Sequence, residues 1–218
     1  MSERSDFTRL NRRAVLAAGG SSLVLASCGG ILSPSQEPLQ LYLLRPQLGP
    51  LGDLPATNMQ LGIGRPEAVQ SLATTRIALE RGETMDYYAD SQWSDTVPRL
   101  LQSLLVEAFE TSGRVKAVAP ESEGLRADVQ LQTELRDFSA HYDSQDGSPD
   151  VVVSMVARLL TVDHGTVIGT FEAKHDARAA QNSVPSIVSA FDEATAGVLE
   201  DVARWTLTTV SQAGLKAR

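Results

Sequence analysis

The residues best placed to do chemistry in this chain are one cysteine, Cys28, and three histidines, His141, His164 and His175. A single thiol excludes an intrachain disulfide framework and any cysteine-based zinc cluster, so Cys28 is either an ordinary buried thiol or a residue with one special task. The histidines are scattered, with no cysteine or carboxylate cluster beside them in sequence, so no metal site is expected. No Gly-x-Ser-x-Gly elbow, P-loop or His-Glu-x-x-His occurs. Gly62-Ile63-Gly64 begins like a nucleotide loop but continues as Arg65-Pro66, with neither a third glycine nor a helix pattern behind it. The expectation is a chain with no catalytic residues and no cofactor. A net charge of −8 and a pI near 4.9 also argue against nucleic acid as a partner, which would call for a basic patch.

What surrounds Cys28 gives it a task. Residues 1–13 carry Arg4, Arg9, Arg12 and Arg13, and residues 14–27 are uncharged and mostly small or apolar. That segment of 14 residues is shorter than the roughly 20 needed to span a bilayer, and the layout is that of an export signal. Leu25-Ala26-Ser27-Cys28 resembles the lipobox of bacterial lipoproteins, in which the thiol is diacylated and the chain is cut before it. Arg12-Arg13 resembles the twin-arginine export motif. The expected organisation is a signal peptide over 1–27, a lipidated flexible tether over 28–38, a domain over 39–212 and a tail over 213–218. Loss of 1–27 would leave 15 basic and 25 acidic side chains, net −10. Anchoring would then rest on diacylglycerol and N-acyl chains on Cys28, each buried CH₂ contributing about 0.8 kcal/mol.

Behind the Gly, Ser and Pro of the tether, hydrophobic periodicity sets out the elements. Short strands are expected at 39–44, 59–63, 75–80 and 84–88, the last two joined by a turn at Arg81-Gly82-Glu83. An amphipathic helix follows over 95–112, with Pro98 in its first turn and Gly113 at its C-terminal end. After a short strand at 115–118 come three alternating strands. Val129, Leu131, Thr133 and Leu135 share one face; Val151, Val153, Met155, Ala157 and Leu159 another; Val167, Gly169, Phe171 and Ala173 a third. A last helix, 184–210, is capped by Ser183 and shows Asp192, Glu193, Glu200 and Asp201 on its polar face. The fold class expected is α+β, a mostly antiparallel sheet with two long amphipathic helices packed on one face. Tyr87, Tyr88 and Trp93 flank the start of the first helix, either as core and rim packing or as a contact surface for a partner.

Taken in order, Cys28, Leu41-Tyr42-Leu43-Leu44, Met59-Gln60-Leu61-Gly62-Ile63-Gly64, the Tyr87–Trp93 segment and the final helix with Trp205 resemble the ABC-type transport auxiliary lipoproteins. That group includes the paraquat-inducible-type lipoprotein. Two features depart from it: Gln92 stands where the family often has Arg, and 65–72 lack a Pro-Tyr-Leu segment. The resemblance implies a non-enzymatic lipoprotein working with an ABC transporter whose mammalian-cell-entry-domain subunit moves phospholipid between membranes. The absence of Asp after Cys28 favours the outer membrane, facing the periplasm. Direct binding of phospholipid would need an apolar groove between sheet and final helix. The alternatives are an envelope lipoprotein acting on cell-wall synthesis or lipopolysaccharide assembly machinery, and a periplasmic hydrolase.

Overall fold

The computed structural model describes residues 38–49, 54–144 and 147–214. The export signal, the lipobox and Cys28 lie outside the described residues, as does the end of the tail.

Tight turns decide which strands pair in opposite directions. Gly82, at φ 60°, turns β4 (Arg76–Arg81) back onto β5 (Thr84–Trp93). Gly165, also at φ 60°, turns β8 (Asp150–Thr161) back onto β9 (Val167–Arg178). The loop after β7 (Val129–Tyr142) returns the chain along β8 over the whole length of both strands. Each glycine adopts the left-handed conformation at no steric cost.

Every other pairing is parallel. β2 (Gln60–Ile63), β3 (Glu67–Ala68) and β4 run one after another along the second edge of β7, opposite residues 129–131, 134–135 and 139–142. One stretch of chain thus follows β7 in parallel, interrupted where Pro66 removes a backbone donor. β6 (Ala117–Pro120) adds parallel to β2, and β1 (Gln40–Tyr42) adds parallel to β5. The sheet is therefore mixed, not mostly antiparallel: among the described residues five pairings are parallel and three antiparallel. The overall α+β class, with two helices, stands. Side-chain alternation reports a half-buried face and carries no information on direction, and parallel neighbours need crossovers that leave no turn signature.

β7 contains a bulge between Leu135 and Asp137. Before it the inner-face residues are Val129, Leu131, Thr133 and Leu135; after it they are Phe138, Ala140 and Tyr142, all buried. The extra residue shifts the phase by one, which curls the sheet and turns Asp137, Ser139 and His141 to the outer face. A second shift, between Leu159 and Leu160, takes Val167 off the inner face of β9, where it is 49% exposed.

Helix α1 (Val97–Ser112) buries Val97, Leu101, Leu105, Ala108 and Phe109, and ends at Gly113 with φ 60°. Helix α2 (Val184–Gln212) buries a continuous stripe that includes Ile187, Phe191, Val198 and Val202. It packs on β8 and β9, while α1 packs on β6 and β2 and against α2. Ser183 occupies the N-cap of α2 with extended backbone, but its side chain makes no capping hydrogen bond.

Candidate functional site

The aromatic segment divides into two parts. Trp93 is 1% exposed and its ring meets Phe138 of β7 and Phe191 of α2 edge-on, at centroid distances of 5.8 and 5.2 Å. It joins sheet to helix and offers no surface to a partner, so of the two readings of this residue the structure takes core packing. Tyr87 and Tyr88 are half-buried. The Tyr87 hydroxyl donates to the Ser71 carbonyl (3.1 Å), and the Arg76 guanidinium lies 3.7 Å from its ring centroid. The Tyr88 and Tyr142 hydroxyls are 2.8 Å apart, and that of Tyr142 donates to Asn182 Oδ1 at 2.7 Å. Burial and the Tyr142 hydroxyl push the Tyr88 phenol well above its ordinary pKa, so it stays a neutral hydrogen-bonding group. These tyrosines tie β5 to β7 and to the approach to α2.

Beside this segment an apolar row is exposed. β1 pairs with β5 at Ser91–Trp93 and, among the described residues, has no strand on its other edge. Leu39, Leu41 and Leu43, at alternate positions, are 53, 63 and 48% exposed. Edge strands are commonly protected by charge or proline, and a leucine row on one is a surface suited to contact. By contrast the β9 edge carries Glu172, Lys174, Asp176 and Arg178. The chain after β1 is strapped onto α2: Leu44 is buried, the Arg45 amide donates to Asp192 Oδ1 (2.6 Å) and the Gly49 amide to Glu200 Oε1 (2.5 Å). Two of the four acidic residues expected on a free polar face of α2 thus hold this strap, and Asp201 accepts from His175 at 2.8 Å. Burial raises the Asp192 carboxyl above its usual value, with the Arg45 amide offsetting part of the effect.

Sequence reasoning missed a polar cluster on the outer face of β4 and β7. His141 Nε2 lies 2.9 Å from Asp137 Oδ2 and its Nδ1 3.6 Å from Glu80 Oε2. Ser139 Oγ lies 2.5 Å from Asp137 Oδ1, 3.1 Å from His141 Nε2 and 3.3 Å from Glu80 Oε1. Asp137, Ser139 and His141 stand at i, i+2 and i+4, a spacing that places them on one strand face and was legible in the sequence. A serine, a histidine and carboxylates invite comparison with a hydrolytic triad. Here one imidazole nitrogen, Nε2, faces both Ser139 and Asp137, and Ser139 is 0% exposed. A triad needs a nucleophile that a carbonyl carbon can reach, and the buried Ser139 is not one. His164 stays exposed in the β8–β9 turn.

The interface between the sheet and α2 is filled by Val153, Met155, Ala173, Phe191, Val198 and Val202, all at most 1% exposed. A hollow of about 80 Å³ lies between Leu48 and Gly49 of the strap, Ala108 and Thr111 of α1, and Leu199 of α2. Small-molecule sites typically hold about 300–1,000 Å³, so this hollow does not accommodate a phospholipid tail. Among the described residues no helix is long and apolar enough to cross a membrane.

Comparison with known proteins bears on the chain as a whole. Residues 42–203 match the family described as ABC-type transport auxiliary lipoprotein component. An uncharacterised protein from Bradyrhizobium diazoefficiens is 28% identical over 179 residues, 82% of this chain and 47% of that protein, so the chain spans about half the length of this relative. Protein XCC0632 from Xanthomonas campestris has a similar fold, with a TM-score of 0.75 and 24% identity over 80% of this chain and 98% of that one. A second solved structure, of an uncharacterised protein, has a TM-score of 0.61 and 18% identity over 78% of this chain and 99% of that one.

Proposed function

The chain belongs to the family of ABC-type transport auxiliary lipoprotein components, and from that membership we propose that it is a non-catalytic, lipid-anchored component of an ABC-type system moving phospholipid between two membranes. A lipoprotein family implies a membrane-associated place in the cell envelope. The finer reading is an outer-membrane anchor facing the periplasm. The single observation that carries this proposal is the family match over most of the folded domain.

Two features support it. Leu25-Ala26-Ser27-Cys28 has the residues that lipoprotein processing requires, and acyl chains on Cys28 would hold the body without help from its acidic surface. The leucine row of β1 begins only 11 residues after Cys28, so the exposed edge strand lies on the part of the chain that leads to the anchor. A partner subunit carrying the mammalian-cell-entry domain is the proposed occupant of that edge, by addition of a strand or by packing on Leu39, Leu41 and Leu43.

The test is made in the native envelope. Purification of the tagged, lipidated chain in gentle detergent should bring the mammalian-cell-entry subunit with it. Deletion of the gene should shift phospholipid between the inner and outer membranes. Failure to recover that subunit, together with unchanged phospholipid partitioning on deletion, would overturn the proposal. Association instead with a cell-wall synthase or the lipopolysaccharide assembly barrel would move the protein to another envelope task.

A further inference from the structure

We propose that Glu80, Asp137 and His141 form a binding site for a divalent transition ion of the Zn²⁺ class on the outer face of the sheet. An imidazole and two carboxylates make a mixed nitrogen–oxygen set, the kind that binds Zn²⁺ with three protein ligands and leaves a position open. One donor atom from each residue lies within 4.8 Å of the other two. An ion held about 2.0–2.2 Å from each donor needs them within about 4 Å of one another, so side-chain shifts of under about 1 Å close the site.

The fold fixes this arrangement. Parallel pairing of β4 with β7 puts Glu80 directly opposite His141. Asp137, Ser139 and His141 share a face by alternation, and the β7 bulge turns that face outward. All three ligands stand on strands, which hold donors more rigidly than loops do.

Charge and burial point the same way. Glu80 and Asp137 are less than a third exposed, and among the described residues each has its ion pair with His141 and none with Lys or Arg. The neighbouring Arg81 is instead drawn over the Tyr142 ring, 4.7 Å from its centroid. Beneath the cluster Ser139 is fully buried, and its hydroxyl hydrogen-bonds with the three ligand residues themselves. A hydroxyl in that position orients ligand carboxylates in the manner of outer-shell partners at metal sites. Above the cluster, Glu80, Gly82, His141, Tyr142 and Asp143 line an open depression through which an ion can enter.

The test uses the full lipidated chain in detergent, purified without a histidine tag and stripped with a chelator. Titration with ZnCl₂ by calorimetry should show one saturable site, and Co²⁺ should give a ligand-field absorption. His141→Ala should weaken Zn²⁺ binding at least about tenfold, as ligand and outer-shell losses do at known sites. Glu80→Gln should also weaken it, which guards against a folding defect in the first variant. His175→Ala, whose imidazole pairs with Asp201 elsewhere, should leave binding unchanged. The proposal is overturned by no saturable binding, by wild-type affinity in folded His141→Ala and Glu80→Gln proteins, or by an equal loss in His175→Ala.

Discussion

Trp93 offers a direct test of how the sheet is joined to α2. Replacing it with Ala removes the ring between Phe138 and Phe191, whose own centroids are 4.7 Å apart. Truncation of a buried Trp costs about 3–5 kcal/mol. One contribution opposes this. Trp93 Nε1 is buried without a hydrogen-bond partner, and removing an orphaned donor returns about 1 kcal/mol of its desolvation penalty. The net for Trp93→Ala is a loss of about 3 kcal/mol. Trp93→Phe keeps one ring and also sheds the orphaned N–H, so its loss is about 1 kcal/mol. With a urea slope of about 2 kcal/mol per M, the midpoints should fall by about 1.5 M and 0.5 M. The assay is urea unfolding of the Cys28→Ser protein, followed by far-ultraviolet circular dichroism and by the fluorescence of the remaining tryptophan, Trp205. A shift under about 0.3 M for Trp93→Ala would refute the core assignment and return the residue to the surface.

The β9–α2 contact makes a second prediction: a Cβ at Gly197 would lie 2.5 Å from His175 Nδ1. Gly197→Ala should destabilise by about 1–2 kcal/mol despite its better helix propensity, while the double variant with His175→Ala should recover most of that loss in a thermal-unfolding cycle. Asp192 carries a pH prediction. Its folded pKa is raised, so the folded chain binds a proton more tightly than the unfolded chain, and its contribution to stability falls as pH rises from the unfolded value of 3.8 through the folded one. Asp192→Asn keeps an acceptor for the Arg45 amide. It should match wild type near pH 3 and be the more stable of the two at neutral pH, by a small margin because the group is half-exposed; denaturant midpoints at the two pH values check this. Leu41→Glu should change stability by less than about 0.5 kcal/mol yet lower recovery of the transporter subunit in detergent co-purification.

Local elements were readable wherever one residue type imposed its geometry. Gly82 and Gly113 marked a hairpin and a helix end, and both adopt positive φ. The alternation of Val151–Leu159 gave the buried face of β8 residue by residue. What escaped was long-range. Nothing in 60–81 signals that it will run parallel to β7 about 60 residues later, and this is why the sheet was expected to be antiparallel. The bulge after Leu135 is equally silent. Asp137, Ser139 and His141 could be placed on a common face, but Glu80 joins them only through the β4–β7 register. The acidic residues of α2 looked solvated because their partners are backbone amides of a distant strap, which carry no side-chain signature.

The proposed role is that of a lipid-anchored body serving an ABC-type phospholipid transporter through its exposed edge strand. A photo-crosslinking amino acid at position 41 of the lipidated protein, irradiated in intact cells, tests it most directly. The expected result is one dominant adduct whose mass-spectrometric identity is the mammalian-cell-entry-domain subunit, absent when the probe sits at position 123, just after β6 at the opposite end of the strand order from β1. An adduct at position 41 with a cell-wall synthase or lipopolysaccharide assembly protein, or equal capture of the transporter subunit from both positions, would contradict it.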